Sequence, residues 1–170
     1  MVIKGVIFDL DGTLIDTTSE IQYVFNQLLE SYSLPKRSIN FFKDNIGNGV
    51  EDLLQKSLPS DYSNDISPLL EKVKEIYGES LNQKSRPFDG ISEVLDLLNE
   101  NKIQIGIITN KMHHLAIRCV DMFFPSYSII TIGAGHLYPK KPSPDSSIAL
   151  ADDFKIKPSE MLFIGDSSVD

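Results

Sequence analysis

An apolar segment that ends in two closely spaced carboxylates most constrains how this chain can fold. Residues Val2 to Phe8 are apolar apart from Lys4 and Gly5, and Asp9 and Asp11 follow at once. A nearly continuous apolar run of this length is typical of a buried strand in a parallel sheet. Ligands of such sheets bind beyond the carboxyl ends of the strands, so the two aspartates lie where a ligand is expected.

The two carboxylates of this segment favour a bound cation. Asp9 and Asp11 lie on the same side of an extended backbone, and their mutual repulsion must be offset by a cation, a shared proton or full solvation. Oxygen ligands of this kind suit Mg²⁺, which retains water and leaves room for substrate phosphate. The alternative is a simple Asp-Gly turn at Asp11-Gly12, which the dipeptide alone would favour.

The composition indicates a globular protein and argues against nucleic-acid binding. The 170 residues are 41% hydrophobic and 24% charged, which is ordinary for a globular chain, and the net charge is −8. Such an acidic protein is a poor partner for a polyanion. The single cysteine, Cys119, permits no internal disulfide and fits a reducing compartment. We expect a cytoplasmic protein without a signal peptide or a membrane span.

The segment after the first strand has the periodicity of helices. Apolar residues recur at helical spacing from Ile21 to Tyr32, after a stretch from Thr17 to Glu20 with the spacing of a capping box. A short helix is predicted over Ile39 to Asn45, and two further helices follow. We therefore predict that residues 16–84 form an all-helical insertion.

Strand and helix patterns alternate over the rest of the chain. Apolar runs predict strands over Ile103 to Ile108, Ser128 to Ile132 and Met161 to Ile164, with helical patterns between them. This alternation is typical of a doubly wound, Rossmann-like parallel sheet. We therefore predict an α/β fold, with a core of residues 1–15 and 85–170 and the helical insertion as a cap that can act as a lid.

Polar side chains follow the second and third predicted strands. Thr109 and Asn110 can donate hydrogen bonds to phosphoryl oxygens, although helix capping is the stronger interpretation of that pair taken alone. Lys140 and Lys141 would ordinarily be a solvated surface pair. Their place before a proline, at the predicted entrance to a helix, favours one of them as a phosphate anchor.

The fourth predicted strand is followed by two acids. Asp166 and Asp170 are four residues apart and can line one face of a helical turn. The alternative is an ordinary N-cap aspartate. Each polar group has such a structural explanation by itself, but their joint occurrence after successive strands favours one shared site.

These residues carry a resemblance to a known family. The segment Phe8-Asp9-Leu10-Asp11-Gly12-Thr13-Leu14 resembles the first motif of the haloacid dehalogenase superfamily of phosphotransferases. The later polar groups come in the order of that superfamily's other motifs, and the resemblance spans nearly the whole predicted core.

The resemblance implies a role for each of the catalytic and phosphate-binding residues. Asp9 would be the nucleophile that forms an aspartyl-phosphate. Asp11 would protonate the leaving oxygen and then activate water. Thr109 and Asn110 would bind the phosphoryl group, and Lys141 would neutralise its charge.

The resemblance also implies a Mg²⁺ site. The ion would be bound by the carboxylates of Asp9 and Asp166 and by the backbone carbonyl of Asp11. Asp170 would support the metal through water or hold Lys141.

The chain resembles one branch of this superfamily more than the others. Asp11 argues against the dehalogenase and phosphonatase branches, which lack an acid at this position. The helical insertion matches the branch with a helical cap, and Thr109-Asn110-Lys111 looks most like phosphoglycolate phosphatases.

A glycine-rich stretch in the insertion also resembles these phosphatases. Gly47, Asn48 and Gly49 would let the backbone approach a small substrate. A plain turn between two helices explains the same residues equally well.

The sequence therefore predicts a Mg²⁺-dependent phosphatase that acts on a small phosphomonoester of the phosphoglycolate kind, without nucleic-acid or membrane partners. The alternatives are a sugar-phosphate mutase like β-phosphoglucomutase and a catalytically weak fragment. The superfamily's core continues past the fourth motif with another strand and helices, whereas the sequence ends at Asp170. We expect the C-terminal part of the core to be missing.

Overall fold

Six strands and seven α-helices form along the chain, as seen in a computed structural model that describes residues 2–170. In chain order they are β1 (Gly5–Phe8), β2 (Ile15–Asp16), α1 (Thr18–Ser31), α2 (Ile39–Asn45), α3 (Val50–Ser57), α4 (Ser67–Ser80), β3 (Arg86–Pro87), α5 (Ile91–Glu100), β4 (Gln104–Met112), α6 (His113–Phe123), β5 (Ile129–Ala134), α7 (Asp145–Phe154) and β6 (Met161–Ile164). A short 3₁₀ helix, Pro158–Glu160, precedes β6.

Four of the strands form one parallel sheet in the order β5-β4-β1-β6. All four residues of β1 are buried, as the apolar run that opens the sequence predicts. Strands of a parallel sheet are covered on both faces and therefore need apolar side chains on both. The predicted α/β class and the parallel sheet are confirmed.

Helix α7 packs on one face of this sheet. Leu150 of α7 lies in a buried cluster with Ile7, Ile108 and Ile132, one residue from each of the three strands β1, β4 and β5. Gly106 allows this approach, because a Cβ at that position would collide with the Leu150 side chain. The cluster holds α7 against the sheet, including β1 and β4, two of the strands whose ends carry the polar residues.

Strand β4 is longer than the sequence pattern predicts. The apolar run ends at Ile108, but the strand continues to Met112, with a register irregularity against β5 between Thr109 and Met112. Thr109, Asn110 and Lys111 are buried, so this extension carries polar side chains into the interior. The prediction of a strand ending before Thr109 was wrong because polarity alone marked its end.

Strand β6 occupies the range Met161 to Ile164 that the sequence predicts, and it pairs with β1. In the part of the chain that the structure describes, β6 is an edge of the sheet, and Leu162 and Ile164 are exposed. Its residues are thus less buried than an apolar run alone suggests.

The chain divides into two compact units. One comprises the chain up to Asp16 together with Pro87–Asp170, and it contains the parallel sheet. The other is Thr17–Arg86, which contains helices α1 to α4. Among residues 2–170, none of the helices combines the length and hydrophobicity that a membrane crossing requires.

The helical unit has its own apolar interior. Phe25 of α1 and Phe42 of α2 are fully buried and pack with their ring centroids 5.8 Å apart. Arg37 joins the segments around them, because its guanidinium donates hydrogen bonds to the carbonyl oxygens of Ser57 and Leu58.

The predicted capping box at the start of α1 does not form. Thr17 occupies the N-cap position but accepts no side-chain hydrogen bond there. Glu20 is instead buried and accepts hydrogen bonds from the backbone N–H of Gln83, at 3.1 Å, and from the hydroxyl of Ser85. Thr17 and Glu20 have the spacing of a capping box, but the Glu20 carboxylate accepts its hydrogen bonds from residues more than 60 positions away.

Candidate active site

Polar side chains gather at the carboxyl ends of three neighbouring strands. Asp9 follows β1, Thr109 lies near the end of β4, and Asp166 follows β6. These strands are adjacent and parallel, so their carboxyl ends lie along one edge of the sheet. The Asp9 N–H donates a 2.9 Å hydrogen bond to the Ile164 carbonyl, which ties the first and last of these strand ends together.

Asp9 is a buried carboxylate that faces a buried lysine. Lys141 Nζ lies 2.8 Å from Asp9 Oδ1 and 2.5 Å from Asp170 Oδ1. The Asp9 oxygen is in ionic contact with the lysine but has no partner with hydrogen-bond geometry among residues 2–170. Burial raises the pKa of Asp9 to about 6, because desolvation of its carboxylate outweighs the attraction of Lys141.

Asp170 holds Lys141 from the other side. Its Oδ2 accepts hydrogen bonds from the Ser167 N–H and the Ser167 hydroxyl, both at 2.8 Å. Burial alone would raise the pKa of Asp170, but the hydrogen bonds from Lys141 and Ser167 lower it below its usual range. Asp170 is therefore a fixed negative charge that positions the lysine between two carboxylates.

Asp166 completes a cluster of carboxylates. Carboxylate oxygens of Asp9, Asp166 and Asp170 all lie within 4.8 Å of one another. Asp166 also accepts a 2.9 Å hydrogen bond from the Thr13 hydroxyl, so the loop after β1 contacts the loop after β6.

A glycine in that first loop makes room for the Asp166 carboxylate. Gly12 has a φ of +90°, and a Cβ at this position would collide with the Asp166 carboxylate oxygens. The backbone conformation therefore favours glycine, and the missing Cβ leaves room for the carboxylate. The sequence signal of Asp11-Gly12 thus reflects a close approach between two loops as well as a turn.

The cluster fits a hard divalent cation. Its donors are carboxylate oxygens, and one of them, Asp9 Oδ1, is buried without a hydrogen bond from the described residues. With Asp11, the site contains four carboxylates, and two ammonium groups, those of Lys111 and Lys141, pair with them. Their charges sum to two negative charges. One divalent ion would balance them, and oxygen donors suit Mg²⁺ or Ca²⁺ rather than a soft metal.

Asp11 lies in a second buried ion pair. Lys111 Nζ is 2.9 Å from Asp11 Oδ1, and the side chain of Lys111 is only 2% exposed. The sequence pattern alone assigns Lys111 no role of its own. A lysine directly after the strand-end Thr-Asn pair is the signal that could have found it, but the ion pair spans 100 positions of sequence.

Asn110 supports Lys141 through the backbone. Its side-chain oxygen accepts a 2.9 Å hydrogen bond from the Lys141 N–H, and its amide nitrogen donates to the Lys141 carbonyl at 3.2 Å. Thr109 is buried beside it, and the Thr109 hydroxyl accepts a hydrogen bond from the Lys111 N–H. The described contacts of Asn110 thus position the lysine, and a contact of either residue with a phosphoryl group stays a prediction.

The predicted substrate-binding stretch of the insertion lies in the helical unit. Gly47, Asn48 and Gly49 form the turn between α2 and α3, and both glycines have positive φ angles, of 131° and 91°. These residues therefore form a plain turn between two helices, which is the simpler of the two interpretations. Their contact with substrate stays a prediction.

The chain is similar to known proteins over nearly its whole length. The family described as haloacid dehalogenase-like hydrolase matches residues 6–170. The phosphoglycolate phosphatase of Nitrosospira multiformis is 29% identical over 173 residues, which cover 97% of this chain and 75% of that protein. The N-acetylmuramic acid 6-phosphate phosphatase of Pseudomonas aeruginosa is 27% identical over 168 residues, covering 98% and 74%.

A solved structure is similar over almost the whole chain. The crystal structure described as a predicted phosphoglycolate phosphatase from Haemophilus somnus matches with a TM-score of 0.87 at 28% identity, covering 99% of this chain and 79% of that one. The fold of this chain is thus shared with a solved structure that is 28% identical to it in sequence.

Proposed function

The chain belongs to the haloacid dehalogenase-like hydrolase family, and we propose that it is a Mg²⁺-dependent phosphatase acting on a small phosphomonoester through an aspartyl-phosphate. One observation carries the proposal. Asp9 is buried at the end of the central strand, and its Oδ1 faces an ammonium group without a hydrogen bond from the described residues. A carboxylate kept in this state is suited to nucleophilic attack.

Asp9, Asp166 and the backbone carbonyl of Asp11 would hold the ion, with Asp170 supporting it. When bound, Mg²⁺ supplies positive charge that offsets the charge developing on the transferred phosphoryl oxygens.

Two successive displacements at phosphorus account for hydrolysis. An Asp9 carboxylate oxygen attacks phosphorus and the bond from phosphorus to the ester oxygen breaks, while Asp11, which enters this step having taken up a proton from solvent, gives that proton to the departing oxygen. Asp11 then takes a proton from water, whose oxygen attacks the same phosphorus. The bond from phosphorus to Asp9 breaks, which releases inorganic phosphate and restores the carboxylate.

Lys141 and Thr109 would bind the phosphoryl group during both steps. Lys141 is held in place by Asp170 and by the Asn110 side chain, so its ammonium group does not need to reorganise when charge develops nearby. Thr109 offers a buried hydroxyl at the end of the neighbouring strand.

We propose a phosphoglycolate-like substrate because most of the relatives compared are phosphoglycolate phosphatases. The relative named for N-acetylmuramic acid 6-phosphate shows that larger acidic phosphoesters belong in the same test. Gly47, Asn48 and Gly49 stay candidate substrate contacts on the resemblance alone.

A panel of phosphomonoesters tests the proposal. Release of inorganic phosphate is measured for phosphoglycolate, N-acetylmuramic acid 6-phosphate, simple sugar phosphates and p-nitrophenyl phosphate, each with Mg²⁺ or with EDTA. We expect Mg²⁺-dependent release that is fastest with a small acidic ester, and none from Asp9→Asn. Isomerised sugar phosphate instead of free phosphate would establish the mutase alternative, and full activity in EDTA would exclude the mechanism.

A further inference from the structure

A second buried lysine forms an ion pair with the second of the two carboxylates that follow β1. Lys111 Nζ lies 2.9 Å from Asp11 Oδ1, just as Lys141 lies against Asp9. The lysine is the more deeply buried partner, because 2% of its side chain is exposed against 12% for Asp11. A ligand therefore reaches the Asp11 carboxylate before it reaches the ammonium group behind it.

The backbone of Lys111 is held tightly in the sheet. Its N–H donates a 3.2 Å hydrogen bond to the Thr109 hydroxyl, within the irregular end of β4. Gly133 of β5 packs against its carbonyl oxygen so closely that a Cβ at Gly133 would collide with that oxygen. A buried side chain on such a fixed backbone gives its charged end one position.

We propose that Lys111 is a positioning residue that holds the Asp11 carboxylate in the orientation from which it exchanges a proton with the leaving-group oxygen. The inference rests on the proposed function, since it concerns the proton transfer of that reaction. Without the lysine, Asp11 would turn about its own side-chain bonds, and the proton would be transferred from a distribution of positions. Misplacement of a reacting group by about 1 Å can cost roughly 100-fold in rate.

The leaving group of the substrate separates this role from a general structural one. An alkoxide such as that of ethyl phosphate is a poor leaving group and needs a proton as it departs. The p-nitrophenolate ion leaves without one. A residue that acts through Asp11 therefore matters for alkyl phosphates and much less for p-nitrophenyl phosphate in kcat/KM, which reports the steps up to departure of the leaving group.

The experiment compares Lys111→Met with the wild-type protein on ethyl phosphate, phosphoglycolate and p-nitrophenyl phosphate, in Mg²⁺. We expect kcat/KM to fall about 10- to 100-fold for both alkyl esters and by less than about threefold for p-nitrophenyl phosphate. The control is Lys140→Met, which removes an exposed lysine next to Lys141 and should leave all three values within about twofold.

A double-mutant cycle adds a second readout. In an Asp11→Asn background, Lys111→Met should cause no further loss on ethyl phosphate, because the group that it positions no longer transfers a proton. Circular dichroism verifies folding of each variant, and Lys111→Gln replaces the methionine variant if that one does not fold.

The outcomes are distinguishable. Equal losses on all three esters, or full additivity with Asp11→Asn, would overturn the positioning role. A loss confined to phosphoglycolate would also overturn it and would show that Lys111 binds the substrate carboxylate. A wild-type protein that hydrolyses none of the esters would refute the proposed function itself.

Discussion

Asp9 carries its charge in a place from which water is largely excluded. Its side chain is 5% exposed, and its neighbours include the carboxylates of Asp11 and Asp170 as well as Lys141. The environment therefore disfavours the ionised form. The nucleophilic role that we propose for Asp9 has a consequence for turnover, and the burial of its charge has one for stability.

The first consequence is for turnover. Asp9→Asn should lower kcat at least about 1,000-fold with an unchanged fold, because an amide is a poor nucleophile of nearly the same shape. Release of phosphate from p-nitrophenyl phosphate measures the rate, and circular dichroism measures the fold. A variant that retains a tenth of the wild-type rate would contradict the assignment of Asp9 as the nucleophile.

The second consequence is for stability without metal. Because the pKa of Asp9 is raised to about 6 from its ordinary value of 3.8, the folded protein binds more protons than the unfolded chain between these two pH values. Stability thus falls as pH rises through this window, and the cost stays in place above pH 6. In EDTA at pH 8, Asp9→Asn should stabilise the protein by about 1–3 kcal/mol.

Urea unfolding at pH 8 and at pH 4 checks this second consequence. The advantage of the asparagine variant should shrink at the lower pH, where Asp9 is mostly protonated in the folded protein. An asparagine variant less stable than the wild-type protein at pH 8 would show that the attraction of Lys141 outweighs desolvation.

At the scale of elements, Glu20 joins the first helix of the helical unit to the segment that ends it. The carboxylate is buried and accepts hydrogen bonds from Gln83 and Ser85. Glu20→Ala should therefore destabilise the protein by about 1–3 kcal/mol, because the Gln83 N–H loses its acceptor.

The matched control is on the same helix. Glu30 is exposed, and its carboxylate pairs with Lys36 at 3.0 Å on the surface. Glu30→Ala should cost less than about 1 kcal/mol. Similar losses in urea unfolding for the two variants would show that Glu20 does not tie the segments together.

What the sequence reveals about these elements depends on the separation of the partners. The strand β1 and the position of Asp9 follow from a local apolar run that ends in acids. The Lys111–Asp11 pair depends on residues 100 positions apart, and no local pattern marks it. Glu20 has a local pattern, the capping-box spacing, but distant partners bind the carboxylate more favourably than the helix start does.

At the scale of the whole molecule, a cation bound by the carboxylate cluster should stabilise the folded state. Asp9 belongs to the first strand and Asp166 to the last, so only the folded chain brings them within 4.8 Å. Mg²⁺ at a hundred times its Kd should add about 2.7 kcal/mol, or roughly 5–10 °C in Tm for a chain of this size.

Calorimetric scans with Mg²⁺, Ca²⁺ and EDTA measure this effect. Both ions should raise Tm, but Ca²⁺ should not support turnover, because it prefers more ligands and longer bonds. Asp166→Asn should remove most of the increase. An increase of the same size in that variant would place the ion elsewhere.

The hydrogen bond between Thr13 and Asp166 spans 153 positions of sequence, which has a consequence for the order of events during translation. Strand β1 leaves the ribosome early, but its neighbours β4 and β6 are still to be made. A nascent chain thus carries Asp9 and Asp11 through most of its synthesis without the residues that complete their surroundings. The catalysis that we propose requires Asp166, so we expect newly made chains to be inactive until β6 has emerged and paired with β1.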